Sequence, residues 1–175
     1  MEPLTSDLLV SYSRGRFRLA CREIGRRLTD FGDVHARVER TAVDGIALVH
    51  TSLNNRAVVA RCRALFHTAP MSFRCTIKWA PVDYWCETDL EAMKALIERE
   101  ISDRIAKDET WGMKIEKRRW QRYHTAEIVA YLAPSIERKV NLDNPDKLVH
   151  MDVIGARTAI SLLQRGEVFS VNAPD

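Results

Sequence analysis

The 175-residue sequence contains no CxxC pair and no group of histidines at metal-ligand spacing. Its four cysteines are far apart and lie in apolar surroundings, at Cys21, Cys62, Cys75 and Cys86. Structural zinc sites need closely spaced thiols or imidazoles, and disulfide frameworks belong mainly to small secreted chains. We therefore predict reduced core thiols, no bound metal and a cytoplasmic protein.

Long apolar runs and catalytic signatures are also missing. No stretch approaches the roughly 20 apolar residues that cross a bilayer, and the N-terminus lacks the basic and apolar segments of a signal peptide. The motifs GxSxG, Walker A, GxGxxG and HExxH are absent. We read Asp143 and Asp146, which flank Pro145, as turn residues. We therefore predict no membrane association, no cofactor, no catalytic residue and no enzymatic activity.

Charge is distributed unevenly along the chain. Apolar residues make up 46% of the sequence and charged residues 29%, which predicts a packed core, and the net charge is only +3. Positions 14–27 nevertheless contain six arginines and one acid, and positions 114–122 contain five basic residues and one acid. Positions 83–109 contain nine acids and four bases. The mild net charge thus hides two basic patches and an acidic segment.

The first half of the chain has the periodicity of a small α+β domain. Extended segments are predicted at 7–13, 34–40, 46–51 and 73–79, and helices at 17–28 and 54–66. The resulting order is strand, helix, strand, strand, helix, strand. That order is typical of a ferredoxin-like fold, with an antiparallel sheet and both helices on one face. We predict this domain over residues 1–83, with a linker at 81–83.

The second half predicts another α/β domain over residues 84–175. Thr88, followed by Glu91, has the spacing of a capping box for a helix that runs to about Lys107. A strand then extends from Trp111 to Arg119, and a helix begins at about Thr125. Extended segments follow at 140–142, 149–154 and 158–163, whereas 166–175 shows no clear period. The whole chain is therefore predicted to be α+β.

The end of the strand that precedes Thr125 combines cations with aromatic residues. Lys117, Arg118 and Arg119 are consecutive, and Trp120, Arg122, Tyr123 and His124 follow them. Guanidinium forks bind phosphate oxygens, and aromatic rings stack on unpaired bases. Free N–H groups at the start of the next helix would add a further phosphate ligand. The alternative is a solvated surface with a half-buried tryptophan.

The first basic patch has two parts. Arg14 and Arg16 flank Gly15 at a strand-to-helix junction, which is a suitable place for a phosphate contact. Three further arginines lie on the polar side of the following amphipathic helix, where solvent exposure alone explains them. They are Arg18, Arg22 and Arg26.

Several segments resemble one known family. They are LLVSYSRGR (8–16), the alanine–proline turn that leads into 71–82, WGMKIEKRR (111–119), KVNLDNPDKLVHMDVIG (139–155) and AISLL (159–163). In this respect the chain resembles the standalone THUMP proteins that assist tRNA cytidine acetylation. The resemblance implies a ferredoxin-like domain followed by a THUMP domain. It also implies binding of the tRNA acceptor stem and 3′ end, without a catalytic domain.

The same resemblance implies a role as an adaptor for a separate RNA acetyltransferase, which uses ATP and acetyl-CoA to make 4-acetylcytidine. The residues that it places in contact with RNA are Lys117, Arg118, Arg119, Arg122, Lys114, Lys139, Arg14 and Arg16. Trp120 departs from the expected pattern, which has a smaller or polar residue there.

Two other functions remain open from the sequence. One is a small RNA-modifying enzyme in its own right. The other is a protein–protein interaction module that uses the acidic helix 90–107 or a sheet face with Arg74, Thr76 and Lys78. The oligomeric state is also open.

Overall fold

The computed structural model describes residues 4–173, and they form the α+β fold that the sequence predicts. Two five-stranded sheets and four α-helices divide between two compact units. The first unit comprises Thr5–Val82 together with residues 166–173, and the second comprises Asp83–Arg165 together with Leu4. Among the described residues, none of the helices has the length and apolarity that crossing a bilayer requires.

The first unit has the predicted ferredoxin-like element order. Its elements are β1 (Leu8–Tyr12), α1 (Phe17–Asp30), β2 (Arg37–Arg40), β3 (Ile46–His50), α2 (Asn55–Thr68) and β4 (Thr76–Pro81). The strands pair antiparallel in the order β4, β1, β3, β2. Alternate residues of β1, such as Leu8 and Val10, are buried with Ile24 and Leu28 of α1 in one apolar core. Apolar residues that recur at every second position of the strand thus pack against apolar residues that recur about every 3.6 positions of the helix.

The start of β2 differs from the sequence prediction. The strand begins at Arg37 rather than at 34, because Asp33 organises a turn before it. The Asp33 carboxylate accepts hydrogen bonds from the His35 N–H, the Thr51 hydroxyl and the Ser52 N–H. The apolar alternation from Val34 onward therefore extends beyond the paired strand.

The end of the described chain corrects the predicted domain 84–175. Phe169 and Ser170 form a strand, β10 (Phe169–Ser170), that pairs with β4 and so belongs to the sheet of the first unit. The Phe169 ring is fully buried, and its centroid lies 5.1 Å from that of Phe73 and 5.5 Å from that of Phe66. Burial of this ring explains why residues 166–173 join the first unit.

The sheet face proposed above as an interaction surface is also corrected at its centre. Thr76 is buried, and both its N–H and its hydroxyl donate to the Glu23 carboxylate. A β-bulge separates Thr76 from Lys78, which pairs with Ser11 on the opposite face of the sheet and is half-buried opposite Ser170 of β10. Thr76 and Lys78 therefore do not form one row of polar side chains on a single face.

The second unit is a mixed sheet with two helices. Its elements are β5 (Tyr84–Glu87), α3 (Leu90–Leu96), β6 (Thr110–Arg118), α4 (Thr125–Leu132), β7 (Lys139–Val140), β8 (Lys147–Ile154) and β9 (Arg157–Leu163). The strand order is β5, β9, β8, β6, β7, and β6 runs parallel to both β7 and β8. Val149, Met151 and Val153 alternate along β8 into the core that also contains Ile128 of α4.

Three features between residues 81 and 107 differ from the sequence predictions. The predicted linker is followed at once by β5, which pairs with β9 and so becomes a strand through a partner far away in sequence. The helix N-cap is Asp89 rather than Thr88, because the Asp89 carboxylate accepts from the N–H groups of Glu91 and Ala92. The regular helix also ends at Leu96, where a π turn and a 3₁₀ turn follow, over Ile97–Ile101 and Ser102–Arg104.

Candidate nucleic-acid interface

The basic triplet lies where β6 leaves the second sheet. We call residues 117–124, from the end of β6 to the start of α4, the basic loop. Arg118 is the last strand residue, and its carbonyl accepts a hydrogen bond of 3.0 Å from the N–H of Gly155 in the β8–β9 turn. Arg119 then takes a left-handed backbone conformation with φ of 57°. This conformation, which is uncommon outside glycine, turns the chain out of the strand.

Lys117 closes the basic loop from within. Its half-buried side chain donates a hydrogen bond of 2.5 Å from Nζ to the carbonyl of Tyr123. The bond joins the two ends of the loop across six residues. The Lys117 ammonium group therefore mainly stabilises the loop, and only its remaining N–H donors are available to a ligand.

Arg118 is bound by two carboxylates. Its Nη1 lies 3.0 Å from Oδ1 of Asp152 on β8, and its Nη2 lies 3.1 Å from Oε2 of Glu116 on β6. Asp152 is only 4% exposed. Because two anions already surround this guanidinium group, the structure does not support Arg118 as a primary phosphate ligand. Its position at the end of β6 is as predicted, but the predicted role is not supported.

Arg119 and Arg122 are the exposed cations of the basic loop. Neither forms an ion pair with any residue from 4 to 173, and the Arg122 guanidinium carbon lies 5.4 Å from the centroid of the Tyr123 ring. Exposed guanidinium groups at a loop can approach a phosphate backbone without first giving up a partner. These two side chains therefore give the loop its usable positive charge.

Trp120 is an anchor of the loop. Its ring meets that of Tyr123 in an edge-to-face contact with centroids 5.6 Å apart, and both rings pack against the core of the second unit. A bulky residue at this position thus has a structural explanation. The two rings hold the loop against the core, whereas Arg119 and Arg122 are exposed to solvent.

The N-terminus of α4 carries its own carboxylate. The helix begins at Thr125 with His124 as N-cap, and Oε2 of Glu127 accepts a hydrogen bond of 2.7 Å from the His124 N–H. A carboxylate in the first turn offsets the positive end of the helix dipole. The phosphate ligand that we expected at this helix start is therefore not supported.

The other predicted RNA contacts are divided among separate places. Lys114 is exposed on β6, with its Nζ 3.4 Å from Oε1 of Glu116. Lys139 lies on β7 opposite Thr110, eight residues before Arg118 on β6. At 3.3 Å per residue this is roughly 26 Å along the strand, so Lys139 is not part of the basic loop.

The last two predicted contacts belong to the first unit. Arg14 and Arg16 are exposed between β1 and α1, and the N–H of the intervening Gly15 donates to Asp44 at 3.0 Å. The structure therefore places the eight predicted residues in at least three regions. It brings Lys117, Arg118, Arg119 and Arg122 together in the basic loop, and Lys114 shares the Glu116 carboxylate with Arg118.

A group that sequence spacing could not reveal lies on the neighbouring strands. Donor atoms of Glu116, His150 and Asp152 all lie within 4.8 Å of one another, because parallel pairing sets Glu116 beside Asp152. These residue types can ligate a metal ion. Arg118, however, already donates to both carboxylates and supplies the positive charge that a metal would bring. The absence of a metal stays a prediction.

The turn before β8 fixes the far end of β6. Oδ2 of Asp146 accepts from both the N–H and the hydroxyl of Thr110, at 2.7 and 2.8 Å, and these bonds lower the pKa of Asp146 below its ordinary value. Gly112 lies tightly under the same turn, since an added Cβ would come within 3.3 Å of Pro145. The turn is a structural clamp on β6.

The chain matches no protein-family model. Over 87 residues, or 47% of this chain, it is 34% identical to the uncharacterized protein MJ0421 of Methanocaldococcus jannaschii, and this match covers 24% of that protein. The chain therefore spans about a quarter of the length of this curated relative.

Solved structures share the fold over nearly the whole chain. PH1313 of Pyrococcus horikoshii aligns over 90% of this chain and 55% of its own, with a TM-score of 0.65 and 13% identity. A 4-thiouridine synthetase, solved as an RNA complex with bound ATP, aligns over 93% of this chain and 41% of its own, with a TM-score of 0.58 and 18% identity. TrmN of Thermus thermophilus aligns over 89% and 45%, with a TM-score of 0.55 and 11% identity. These likenesses support the predicted THUMP-like fold, and at such low identities they show the fold alone.

Proposed function

We propose that this chain is an RNA-binding protein of tRNA modification that contacts tRNA through its basic loop. The observation that carries the proposal is the pair of exposed, unpaired arginines, Arg119 and Arg122, on a loop anchored by Trp120 and Tyr123. A rigid loop with free guanidinium groups suits a phosphate backbone, because little order is lost when RNA binds. The fold shared with a synthetase solved in complex with RNA supports the same function.

The specific form of the proposal is a non-catalytic adaptor. It recognises the acceptor stem and 3′ end of tRNA and presents them to a separate RNA acetyltransferase, which makes 4-acetylcytidine. The support for this form is the resemblance of residues 111–119 and 139–155 to standalone THUMP proteins.

The test compares tRNA binding by two matched double variants across a salt series. Arg119→Asn/Arg122→Gln removes the two exposed cations, and asparagine tolerates the left-handed backbone at 119. Lys107→Gln/Arg165→Gln removes equal charge at the opposite end of the same unit, before β6 and after β9. We expect roughly 10-fold weaker binding at low salt for the first variant only. We also expect the slope of log K against log salt to fall by about one per arginine.

The affinities of the wild type and both variants are measured for intact tRNA and for tRNA without its 3′ single strand. A larger loss for the intact tRNA places the loop at the acceptor end. Equal affinities for the wild type and both variants would contradict the proposed interface, and no binding of tRNA at low salt would contradict the function itself.

A second measurement addresses the adaptor role. The chain is incubated with tRNA, ATP and acetyl-CoA, with and without an RNA acetyltransferase, and nucleosides are analysed by mass spectrometry. We expect 4-acetylcytidine only when the acetyltransferase is present, and more of it when the chain is added. Product formed by the chain alone would instead favour an enzyme.

A further inference from the structure

A second basic site lies in the first unit and is lined by arginines that are not among the RNA contacts predicted from the sequence. A surface cleft of about 480 Å³ opens between α1 and the segment before β4. Four arginines line it, three from the helix and one from the segment: Arg22, Arg26, Arg27 and Arg74. Arg22 and Arg26 are one helical turn apart, so their side chains leave the same face of α1. We call this the arginine cleft.

The acids in the arginine cleft do not neutralise it. Both oxygens of Glu23 accept hydrogen bonds from the segment before β4, with the N–H groups of Arg74, Cys75 and Thr76 at 2.8 to 2.9 Å. This carboxylate serves to fix the segment to α1. Asp30 pairs with Arg27 at 3.1 Å. Two acids therefore face four guanidinium groups, and the site keeps a net positive charge.

Arg27 is the unusual member of the group. It is only 6% exposed, although arginines are rarely buried without full pairing. Its Nη1 donates to the carbonyl of Ser72 over a long 3.4 Å, and its Nε has no hydrogen-bond acceptor among the described residues. A buried guanidinium group with an unused donor is unfavourable unless another acceptor completes it. The Arg27 side chain lines the cleft, so its guanidinium charge adds to the attraction of the site for an oxyanion.

We propose that the arginine cleft binds a phosphate group, and specifically a backbone phosphate of RNA. Several guanidinium forks match an oxyanion with multiple acceptor oxygens better than a single carboxylate would. Arg22, Arg26 and Arg74 are exposed at the mouth, which leaves room for a phosphate that is part of a chain. Met71 adds an exposed apolar rim, at 67%, against which a ribose or base can pack. The RNA part of this inference rests on the proposed function, whereas phosphate binding does not.

The test separates phosphate binding from RNA binding. Inorganic phosphate is titrated into the full chain at constant ionic strength, and the arginine Nε–Hε resonances are followed by ¹H–¹⁵N NMR. Arg22→Gln/Arg26→Gln removes two exposed ligands, and the control Arg18→Gln/Arg37→Gln removes two exposed arginines that do not line the cleft. Urea unfolding confirms that both variants remain folded.

We expect the Arg27 Nε–Hε resonance to shift and saturate in the wild type and the control. In Arg22→Gln/Arg26→Gln the phosphate affinity should fall at least 10-fold, and tRNA affinity should fall with it. An unmoved Arg27 resonance, or an equal response in both variants, overturns the phosphate site. Phosphate binding with unchanged tRNA affinity in the cleft variant overturns RNA as the source of the phosphate. If neither the wild type nor the variants bind tRNA but phosphate still shifts the Arg27 resonance to saturation, the proposed function fails and the phosphate site stands.

Discussion

Arg118 and Arg119 are adjacent in the sequence, but their guanidinium groups have different surroundings. Arg118 is the last residue of β6 and faces Asp152 on the next strand, whereas Arg119 has left the sheet and is exposed. The left-handed backbone conformation of Arg119 turns the chain, so the side chains of Arg118 and Arg119 enter different surroundings. A charge reversal of both residues would therefore mix a structural defect with a binding defect.

The role of Arg118 predicts a loss of stability when its side chain is removed. In Arg118→Met the buried Asp152 carboxylate and Glu116 lose their common partner, and we expect the free energy of unfolding to fall by about 2 kcal/mol. Urea unfolding measures this loss. Arg119→Asn serves as the control and should change stability by less than about 0.5 kcal/mol, since it breaks no ion pair.

The Arg118–Asp152 assignment is tested further by a double-mutant cycle. The effects of Arg118→Met and Asp152→Asn should be less than additive, because each removes the same bond. Strict additivity, or an Arg118→Met variant as stable as the wild type, would argue that this ion pair contributes nothing to the fold.

At this scale the sequence located the basic residues but could not assign their partners. Three consecutive cations followed by aromatic residues are visible without a structure. That Arg118 meets Asp152, 34 positions away, depends on the parallel register of β6 and β8. The same register assembles Glu116 beside Asp152. Spacing along one chain carries no information about such a register, so the distinction between Arg118 and Arg119 needed the sheet.

At the scale of elements, the connection after α1 is organised by one carboxylate. Asp33 follows the helix and accepts from the Thr51 hydroxyl at 2.6 Å and from the Ser52 N–H at 2.9 Å, both just after β3. These bonds, with that from the His35 N–H, lower the pKa of Asp33 to about 2. Asp33 therefore fastens the end of α1 to the end of β3.

This depressed pKa predicts a pH dependence of stability. Because the folded state favours the carboxylate, Asp33 stabilises the protein above its ordinary pKa near 3.8, and that contribution is lost as the pH falls towards 2. Asp33→Asn should therefore be less stable than the wild type at pH 7, and the difference should shrink between pH 4 and pH 2.5. Urea midpoints at the three pH values give the measurement.

The control for this titration is Asp108→Asn, since Asp108 is exposed and forms no hydrogen bond with residues 4–173. Its stability relative to the wild type should hardly vary with pH. A difference between Asp33→Asn and the wild type that stays constant from pH 7 to pH 2.5 would mean that Asp33 is not a titrating clamp.

Helices and strands with a strong apolar period were predictable from the sequence. Strands that form only by pairing with a segment far away in sequence were not. The apolar positions of α1 recur at helical spacing, and the predicted helix 17–28 lies within Phe17–Asp30. In contrast, β5 follows Pro81 and Asp83 and resembles a linker, yet pairing with β9 makes it a strand. The acidic helix predicted to about 107 loses regular α-geometry after Leu96, although Ile97, Ile101 and Ile105 continue its apolar pattern into the core.

At the scale of the whole molecule, the chain enters the second unit at Asp83 and returns to the first unit after Arg165. The returning segment is tied to α2, where Arg56 pairs with Glu167 at 3.1 Å and Arg63 donates to the carbonyl of Val168 at 2.7 Å. A segment with only two strand residues has no period to detect. Its assignment depends on tertiary packing, which sequence analysis of short windows does not capture.

Because residues 166–173 pack in the first unit, we predict that a substitution in this segment destabilises the strands near the start of the chain. Phe169→Ala empties a fully buried site beside Phe66 and Phe73, and truncations of this kind cost about 3 to 5 kcal/mol. We expect amide hydrogen exchange to accelerate in β1 and β4, which share this core, while β6 and β8 keep their protection. Leu142→Ala, at a site that is 82% exposed, is the control and should alter neither unit. Equal loss of protection in both units would indicate that they unfold together, and unchanged protection in β4 would contradict the placement of β10 in the first sheet.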